Sequence, residues 1–371
     1  MFKIVLPDRN YPIIPIGLGT MGYGGYFKSN KTNKNFYLNL IKFAYDHNCK
    51  ILDTAENYAK GNSEKIIGLL PSNIKNDIFI MTKFSPENSK PKEIENSLNK
   101  SLKRLKRDYV DVYFPHWPTT NVAIEVIVEK LLNLNEKGKI KYIGLSNFSE
   151  EQYLITKYLT RNKKKIFIQN EYNILERSIE KKLLPKIISK KDFFIAYSPF
   201  GNGEVFNKNN VKFKNLNLIS KECGCTVAQL LLSWILRHHN TIVIPKSESS
   251  NRIEENLKIL DLKIDKYYLN KISKLFITEI KKINLKLIDI EKNNSRLIYT
   301  NIDEAKRNVY NLNPSPNELA QEIYKNKGRL QKPIKLKKIG SRYKLIEGRV
   351  KYWAWRILYK DSKPIPAIIL D

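Results

Sequence analysis

The sequence predicts an α/β protein, a (β/α)8 TIM barrel over residues 1–278 followed by a small α+β domain over 279–371. Three observations lead there. Strand-length apolar runs recur eight times, each followed by a helix-length amphipathic segment. The runs are nearly continuous in apolar residues, as expected for parallel strands buried on both faces. Eight such units fill about 250 residues, the usual size of a closed barrel, and leave about 90 for a second domain.

The eight runs are Ile13–Gly19, Lys50–Ala55, Asp77–Lys83, Val110–His116, Ile140–Asn147, Ile166–Tyr172, Phe193–Pro199 and Thr241–Lys246. Between them lie segments such as Glu93-Ile94-x-x-Ser97-Leu98-x-x-Ser101-Leu102, with apolar residues at helical spacing. A doubly wound open sheet shares this alternation and is the competing architecture. Its usual first turn is a glycine-rich helix opener, whereas Gly17, Gly19, Gly22, Gly24 and Gly25 read as a loop.

Composition narrows the class. Hydrophobic residues make up 42% of the chain, enough for a buried core. No apolar run reaches the roughly 18 residues of a membrane span, and Met1–Asn10 lacks the pattern of a secretory leader. The expectation is a cytoplasmic protein with no membrane partner. Of three cysteines, Cys223 and Cys225 flank Gly224 at an expected helix–helix junction, too close for a zinc knuckle; reduced thiols and no metal are expected. The net charge of +29 would suit an anionic partner. The lysines, however, are dispersed, with only short dense stretches at 100–107, 163–165 and 335–338. They read as a solvated surface, and nucleic acid is not an expected partner.

A barrel places its chemistry at the C-terminal ends of its strands. There the sequence sets Asp53, Lys83, His116, Ser146-Asn147, Gln169-Asn170, Tyr197-Ser198 and Lys246-Ser247, with Tyr58 just beyond strand two. Four of these suit carbonyl reduction. Hydride addition leaves negative charge on the carbonyl oxygen, so a proton donor must stand there. Tyr58 can be that donor. A neighbouring Lys83 is expected to favour the phenolate and lower the tyrosine pKa, with Asp53 holding the lysine charged. His116 can orient the oxygen by hydrogen bonding. Each residue alone has an ordinary structural use; the set at one mouth is what points to catalysis.

The segments Ile51-Leu-Asp-Thr-Ala-Glu-Asn-Tyr58, Met81-Thr-Lys-Phe84 and Ser101–Pro118 resemble the aldo-keto reductase family. So do Gly144-Leu-Ser-Asn-Phe148, Ala196-Tyr-Ser-Pro-Phe200 and Ile244–Asn256, so that the resemblance runs from residue 1 to about 278. It implies Tyr58 as general acid, supported by Asp53, Lys83 and His116. It also implies NADP(H) as cofactor. Ser146, Asn147 and Gln169 would take the nicotinamide carboxamide, and Tyr197 would stack on the ring. Lys246, Ser247 and Arg252 would surround the 2′-phosphate, with Glu255 and Asn256 near the adenine. Two cations and a hydroxyl at a helix start suit a phosphate dianion. The loops at 117–121 and 201–214 are shorter than family members often use, which leaves the carbonyl substrate open.

After Phe276 the chain gains a basic segment. Residues 279–371 hold 21 basic against 10 acidic side chains, a net +11. Expected elements are strands at Leu285–Ile290, Pro333–Leu336, Tyr343–Ile346 and Pro366–Leu370, with helices at Pro316–Lys325 and Arg349–Leu358. Leu319-Ala-Gln-Glu-Ile, Gln331-Lys-Pro-Ile334 and Tyr343-Lys-Leu-Ile-Glu-Gly-Arg349 resemble the ParB/sulfiredoxin-like domain. That resemblance implies a nucleotide or phosphorylated ligand at Gly348, Arg349 and Lys351, with Glu347 as a base; the alternative is a degenerate, purely structural or docking module. No cysteine follows Cys225 within these residues, so sulfiredoxin chemistry is not expected, nor is a chromosome-partition role, which would call for a helix-turn-helix. The expected function is NADPH-dependent reduction of an aldehyde or ketone to an alcohol. The alternative is an NADPH-sensing, or nucleotide- or nucleic-acid-binding, fusion acting through the C-terminal domain.

Overall fold

The computed structural model describes residues 4–6, 12–25, 33–276, 280–290, 299–310, 312, 314–326, 328–330 and 332–370. Much of Met1–Asn10, the expected boundary at 278/279 and Gln331 lie outside these. The chain forms two compact units, Met1–Phe276 and Ile277–Asp371.

In the first unit eight strands pair in parallel, in chain order. They are β1 (Leu18–Gly19), β2 (Ile51–Asp53), β3 (Phe79–Phe84), β4 (Val110–Pro115), β5 (Ile140–Ser146), β6 (Ile166–Glu171), β7 (Phe193–Tyr197) and β8 (Thr241–Val243). Parallel bridges Ile16–Val243 and Gly19–Lys246 join the last strand to the first and close the barrel. The first and last strands are shorter than the apolar runs predict. Pro15 and Pro245 lie within those runs and have no N–H to donate, so the closing ladder is broken into single bridges.

The helices between are α1 (Lys34–Asp46), α2 (Asn62–Ile67), α3 (Ser72–Asp77), α4 (Pro91–Leu105), α5 (Ile124–Glu136) and α6 (Glu150–Leu159). They continue with α7 (Leu183–Ser189), α8 (Val211–Glu222), α9 (Val227–Leu236), α10 (Ser250–Leu257) and α11 (Lys266–Leu275). The Cys223-Gly224-Cys225 turn joins α8 to α9, and all three cysteines are free thiols. Among the described residues no group of side chains could hold a metal ion, and no helix is long and apolar enough to cross a membrane.

Strand alternation sorts the barrel into two cores. Leu52, Ile80, Tyr113, Ile143, Leu145, Ile168, Phe194 and Val243 pack outward in the layer that the helices cover. Ile51, Phe79, Met81, Val112, Phe114, Phe167, Phe193, Ile195 and Ile242 fill the interior, together with Ile4, Leu6 and Ile13 from the N-terminal end. The antiparallel bridge Ile4–Ile13 ties that N-terminal end to itself. Because the side-chain period is two, the residue two beyond each inward apolar one also points inward. Ile51 leads to Asp53, Met81 to Lys83, Phe114 to His116, Gly144 to Ser146, Phe167 to Gln169 and Ile195 to Tyr197. The core pattern therefore aims the polar set into one mouth.

The second unit holds a mixed five-stranded sheet in the order β10-β12-β11-β13-β9. Its strands are β9 (Ile280–Ile283), β10 (Ile288–Asp289), β11 (Ile334–Ile339), β12 (Arg342–Glu347) and β13 (Ile365–Leu370). Its helices are α12 (Ile302–Arg307), α13 (Pro316–Lys325) and α14 (Arg349–Tyr359). Tyr352, Trp353 and Trp355 of α14 share a buried cluster with Ile334, Leu336, Leu345, Ile365 and Ala367 of the sheet. The expected strand at Leu285–Ile290 is only its last part, since Leu285–Leu287 forms a 3-10 turn held by Asn284 on the Lys286 amide. β9 and α12 were not expected; β9 is a short, lysine-containing strand paired with β13.

Gly144 of β5 shows how tightly the interior is filled. A Cβ there would lie 2.3 Å from the Phe114 ring. Gly144→Ala is expected to lower unfolding free energy by about 1–3 kcal/mol, read from urea melts against the parent. An unchanged midpoint would mean the ring has room to move.

Candidate active site

The mouth is organised on one buried carboxylate. Asp53, at the end of β2, accepts two hydrogen bonds from Lys83 Nζ at 2.7 and 2.8 Å and one from Gln169 Nε2 at 2.7 Å. Lys83 completes its set by donating to the Thr54 carbonyl at 2.8 Å. The side chains of Lys83 and Asp53 are 1% and 5% exposed, so this is a desolvated ion pair that holds only because every donor is used. Burial pulls the Lys83 ammonium below its ordinary pKa, and Asp53 works against that pull.

Tyr58 stands over this pair. The Lys83 ammonium lies 5.3 Å from the centre of its ring, and the His116 ring meets it edge-on at 5.8 Å. Tyr58 opens a turn whose next residues, Ala59, Lys60 and Gly61, all have positive φ (49°, 55° and 80°). A pair of non-glycine residues in the left-handed region is backbone strain of the kind found at functional sites. The expectation that Lys83 lowers the Tyr58 pKa is corrected by this geometry. Lys83 is committed to Asp53 and faces the ring; burial, then the Asp53 charge and Tyr197, raise Tyr58 well above the ordinary tyrosine value. In this state Tyr58 holds its proton firmly.

His116 is neutral. Burial first, and the Lys83 charge second, lower it to about 3. Its Nδ1 is buried and has no partner. A neutral imidazole offers one donor and one acceptor, so it can hydrogen-bond an oxygen without adding charge.

The residues expected at the nicotinamide line the same mouth. Asn147 donates to the His116 carbonyl at 3.0 Å and to Ser146 Oγ at 3.2 Å, and it accepts from the Tyr197 hydroxyl at 2.7 Å. Its φ is +67°, so the strand ends in a left-handed residue that an asparagine tolerates. Gln169 is buried and bonded to Asp53. Burial, followed by the nearby Glu171 and Glu176 charges, raises the Tyr197 pKa.

The residues expected at the 2′-phosphate gather at the start of α10. The Tyr23 hydroxyl donates to the Ser247 carbonyl at 2.6 Å, and Ser247 Oγ accepts from the Ser249 amide at 3.1 Å. Ser249 caps α10 by accepting from the Arg252 amide at 3.4 Å. Lys246 pairs with Glu248 at 2.6 Å, and Arg252 is exposed. Asn256 is buried, while the Glu255 carbonyl accepts from Gln229 Nε2 at 2.9 Å and so ties α10 to α9.

In the second unit Gly348 takes φ +99° as the residue preceding α14, whose start has no side-chain cap. Arg349 follows with its Nε buried and without a partner, and Lys351 lies two residues further on, past Val350. Glu347, expected as a base, pairs with Lys335 at 2.8 Å. Their side chains reach each other across the β11–β12 ladder, where Lys335 faces Glu347.

Several supporting residues were not singled out in the sequence. Glu56 accepts from the Ser85 amide and from Asn88, both at 2.7 Å, and so ties the loop after β2 to the loop after β3. Glu64 is fully buried in α2, bonded to Thr82 and Arg104 at 2.6 Å each. Glu56 lies inside the segment Ile51–Tyr58, which was the available signal; Glu64 carried none beyond its nearness to it.

Asp53→Ala strands the Lys83 ammonium in a dry pocket. It is expected to cost about 3–5 kcal/mol in chemical unfolding, far more than a surface aspartate would. A loss under about 1 kcal/mol, the range of exposed pairs, would show that water reaches Lys83 and that the pair is not the organising contact.

Residues 15–277 match the model of the aldo/keto reductase family. The methylglyoxal reductase YeaE of Escherichia coli (strain K12) is 26% identical over 274 residues, covering 74% of this chain and 95% of that protein. Among solved structures, a thermostable aldo-keto reductase crystallised with the inhibitor epalrestat is 30% identical, with a TM-score of 0.67 over 74% of this chain and all of that one (100%). An aldo-keto reductase from Klebsiella pneumoniae in complex with NADPH is 26% identical, with a TM-score of 0.65 over 71% of this chain and 92% of that one. Joined to the barrel and the mouth described above, these matches identify the chain as a member of the aldo/keto reductase family.

Proposed function

We propose that residues 1–278 reduce an aldehyde or ketone to the alcohol with NADPH, and that Tyr58 is the general acid. One observation carries the reading: Tyr58 and a neutral His116 flank a dry Asp53–Lys83 pair at the mouth of the barrel.

The residues present suit the cofactor. A hydroxyl and two amides, from Ser146, Asn147 and Gln169, face the mouth for a carboxamide. Lys246, Ser247 and Arg252 bring two cations and a hydroxyl to the start of α10 for a phosphate. Tyr197 supplies an aromatic face beside Asn147, and Glu255 and Asn256 follow on α10 for the adenine. Bound NADPH supplies the hydride.

The chain's own groups manage the charge and the proton. As negative charge grows on the carbonyl oxygen, the Tyr58 hydroxyl protonates it. Free tyrosine is a weak acid near neutral pH, and here burial makes it weaker still. The proton therefore leaves only toward a strongly basic oxygen, the one that hydride addition creates. Lys83, fixed by Asp53, then supplies positive charge beside the phenolate that remains. His116 holds the oxygen with one hydrogen bond and no charge.

For the second unit we propose a ParB/sulfiredoxin-like domain, residues 279–371, that takes a nucleotide or phosphorylated ligand at Gly348, Arg349 and Lys351. The uncapped start of α14 and the unpartnered Arg349 Nε support that reading.

Fluorescence titration tests the cofactor assignment. Wild-type protein is expected to bind NADPH, and Lys246→Ala combined with Arg252→Ala to lose it at least about 100-fold, since each phosphate contact of this type is worth roughly 1.5–3 kcal/mol. Equal affinity in the two proteins would refute the phosphate site. ATP titration of the full chain extends the test to the second unit, where Arg349→Ala is expected to abolish binding; no ATP binding by wild type would remove that reading.

A further inference from the structure

The loop that discriminates between cofactors carries a charge that the phosphate reading does not use. Among residues 246–252 Glu248 is the only acid. Its carboxylate lies 2.6 Å from Lys246 Nζ, one of the two cations assigned to the 2′-phosphate. It takes one of the three N–H donors that Lys246 could offer to a phosphate oxygen.

The backbone around Glu248 is pinned on both sides. Tyr23, fully buried, donates to the Ser247 carbonyl, and the Ser247 and Ser249 side-chain and backbone groups bond each other in both directions. Ser249 also caps α10. Glu248 therefore sits between two anchored residues, and only its side chain is free to swing. The Lys246 ion pair holds the exposed carboxylate on this loop, beside the anchored Ser247.

The consequence follows from charge and hydrogen-bond chemistry. A 2′-phosphate, close to a dianion at neutral pH, that engages Lys246 comes within a few ångströms of Glu248. Two like charges at that range in a half-exposed site repel by about 1–2 kcal/mol, roughly a factor of ten in affinity. A ribose with free hydroxyls meets the opposite situation. A carboxylate is an acceptor only, and a 2′-hydroxyl donates to it without disturbing Lys246.

We propose that Glu248 is a specificity-determining residue that narrows the preference for NADPH and lets the same site accept NADH, by taking the ribose 2′-hydroxyl as acceptor. The proposal rests on the assignment of Lys246 and Arg252 to the adenosine phosphate. It predicts a chain that uses both nicotinamide cofactors rather than one selective for NADPH.

The test is fluorescence titration of the full chain with NADPH and with NADH, on wild type, Glu248→Gln and Glu248→Ala. Glu248→Gln keeps the size and removes the charge; Glu248→Ala guards against a glutamine that makes its own contact. Both variants are expected to tighten NADPH about tenfold and to weaken NADH several-fold. The advantage of NADPH at low salt should also grow. Adenosine 2′,5′-bisphosphate and AMP as competing ligands should show the same change in ratio, which places the effect at the adenosine end. An unchanged NADPH-to-NADH ratio in both variants overturns the proposal, and the Lys246 and Arg252 double variant then decides the reading beneath it. If that variant loses NADPH, the phosphate site stands without a role for Glu248; if wild type binds neither cofactor, both fall together.

Discussion

The arrangement at the barrel mouth depends on one buried ion pair. Asp53 and Lys83 lie on neighbouring strands, both out of water, and each satisfies the other only if β2 and β3 hold their register. The same carboxylate fixes Gln169 from the far side of the barrel. A charge pair so placed is poor evidence for stability, because two apolar side chains of equal volume would suit the interior better. What it supplies is a lysine held 5.3 Å from the centre of the Tyr58 ring, in dry surroundings. The neutral state of His116 comes first from the same burial and second from the Lys83 charge.

Period-two alternation explains why this set was readable in the sequence. Asp53, Lys83, His116, Gln169 and Tyr197 each stand two residues past an apolar residue of the interior, so knowing which face is buried also gives the direction of the polar side chain. Tyr58 does not follow that rule. It lies on a loop and is placed by strain, through the left-handed residues Ala59, Lys60 and Gly61, which no periodicity predicts. Asn147 is similar: it ends its strand in a left-handed conformation and joins His116, Ser146 and Tyr197 by contacts that only the folded chain shows.

The Tyr58 pKa ran opposite to expectation because burial, which sequence does not show, raises it first and the Asp53 charge second. In the second unit Glu347, read as a base, pairs across the ladder with Lys335, a contact that the sequence did not show. There the helices α13 and α14 match their expected ranges closely, because Ser315 with Glu318 forms a capping box and Gly348 marks the start of α14. β9 and α12 were missed, being short elements whose exposed sides are charged: Lys281 and Lys282 in one, Asp303, Glu304, Lys306 and Arg307 in the other.

The central claim is that Tyr58 delivers the proton in a carbonyl reduction for which Asp53 and Lys83 set the field. The direct measurement compares wild type with Tyr58→Phe for NADPH oxidation by a reactive aldehyde, with cofactor affinity titrated in parallel. The account predicts that kcat falls by about 10²–10⁴ while NADPH binds as before. A Tyr58→Phe protein that turns over at the wild-type rate would contradict it, and would move the proton donor to another residue at the mouth.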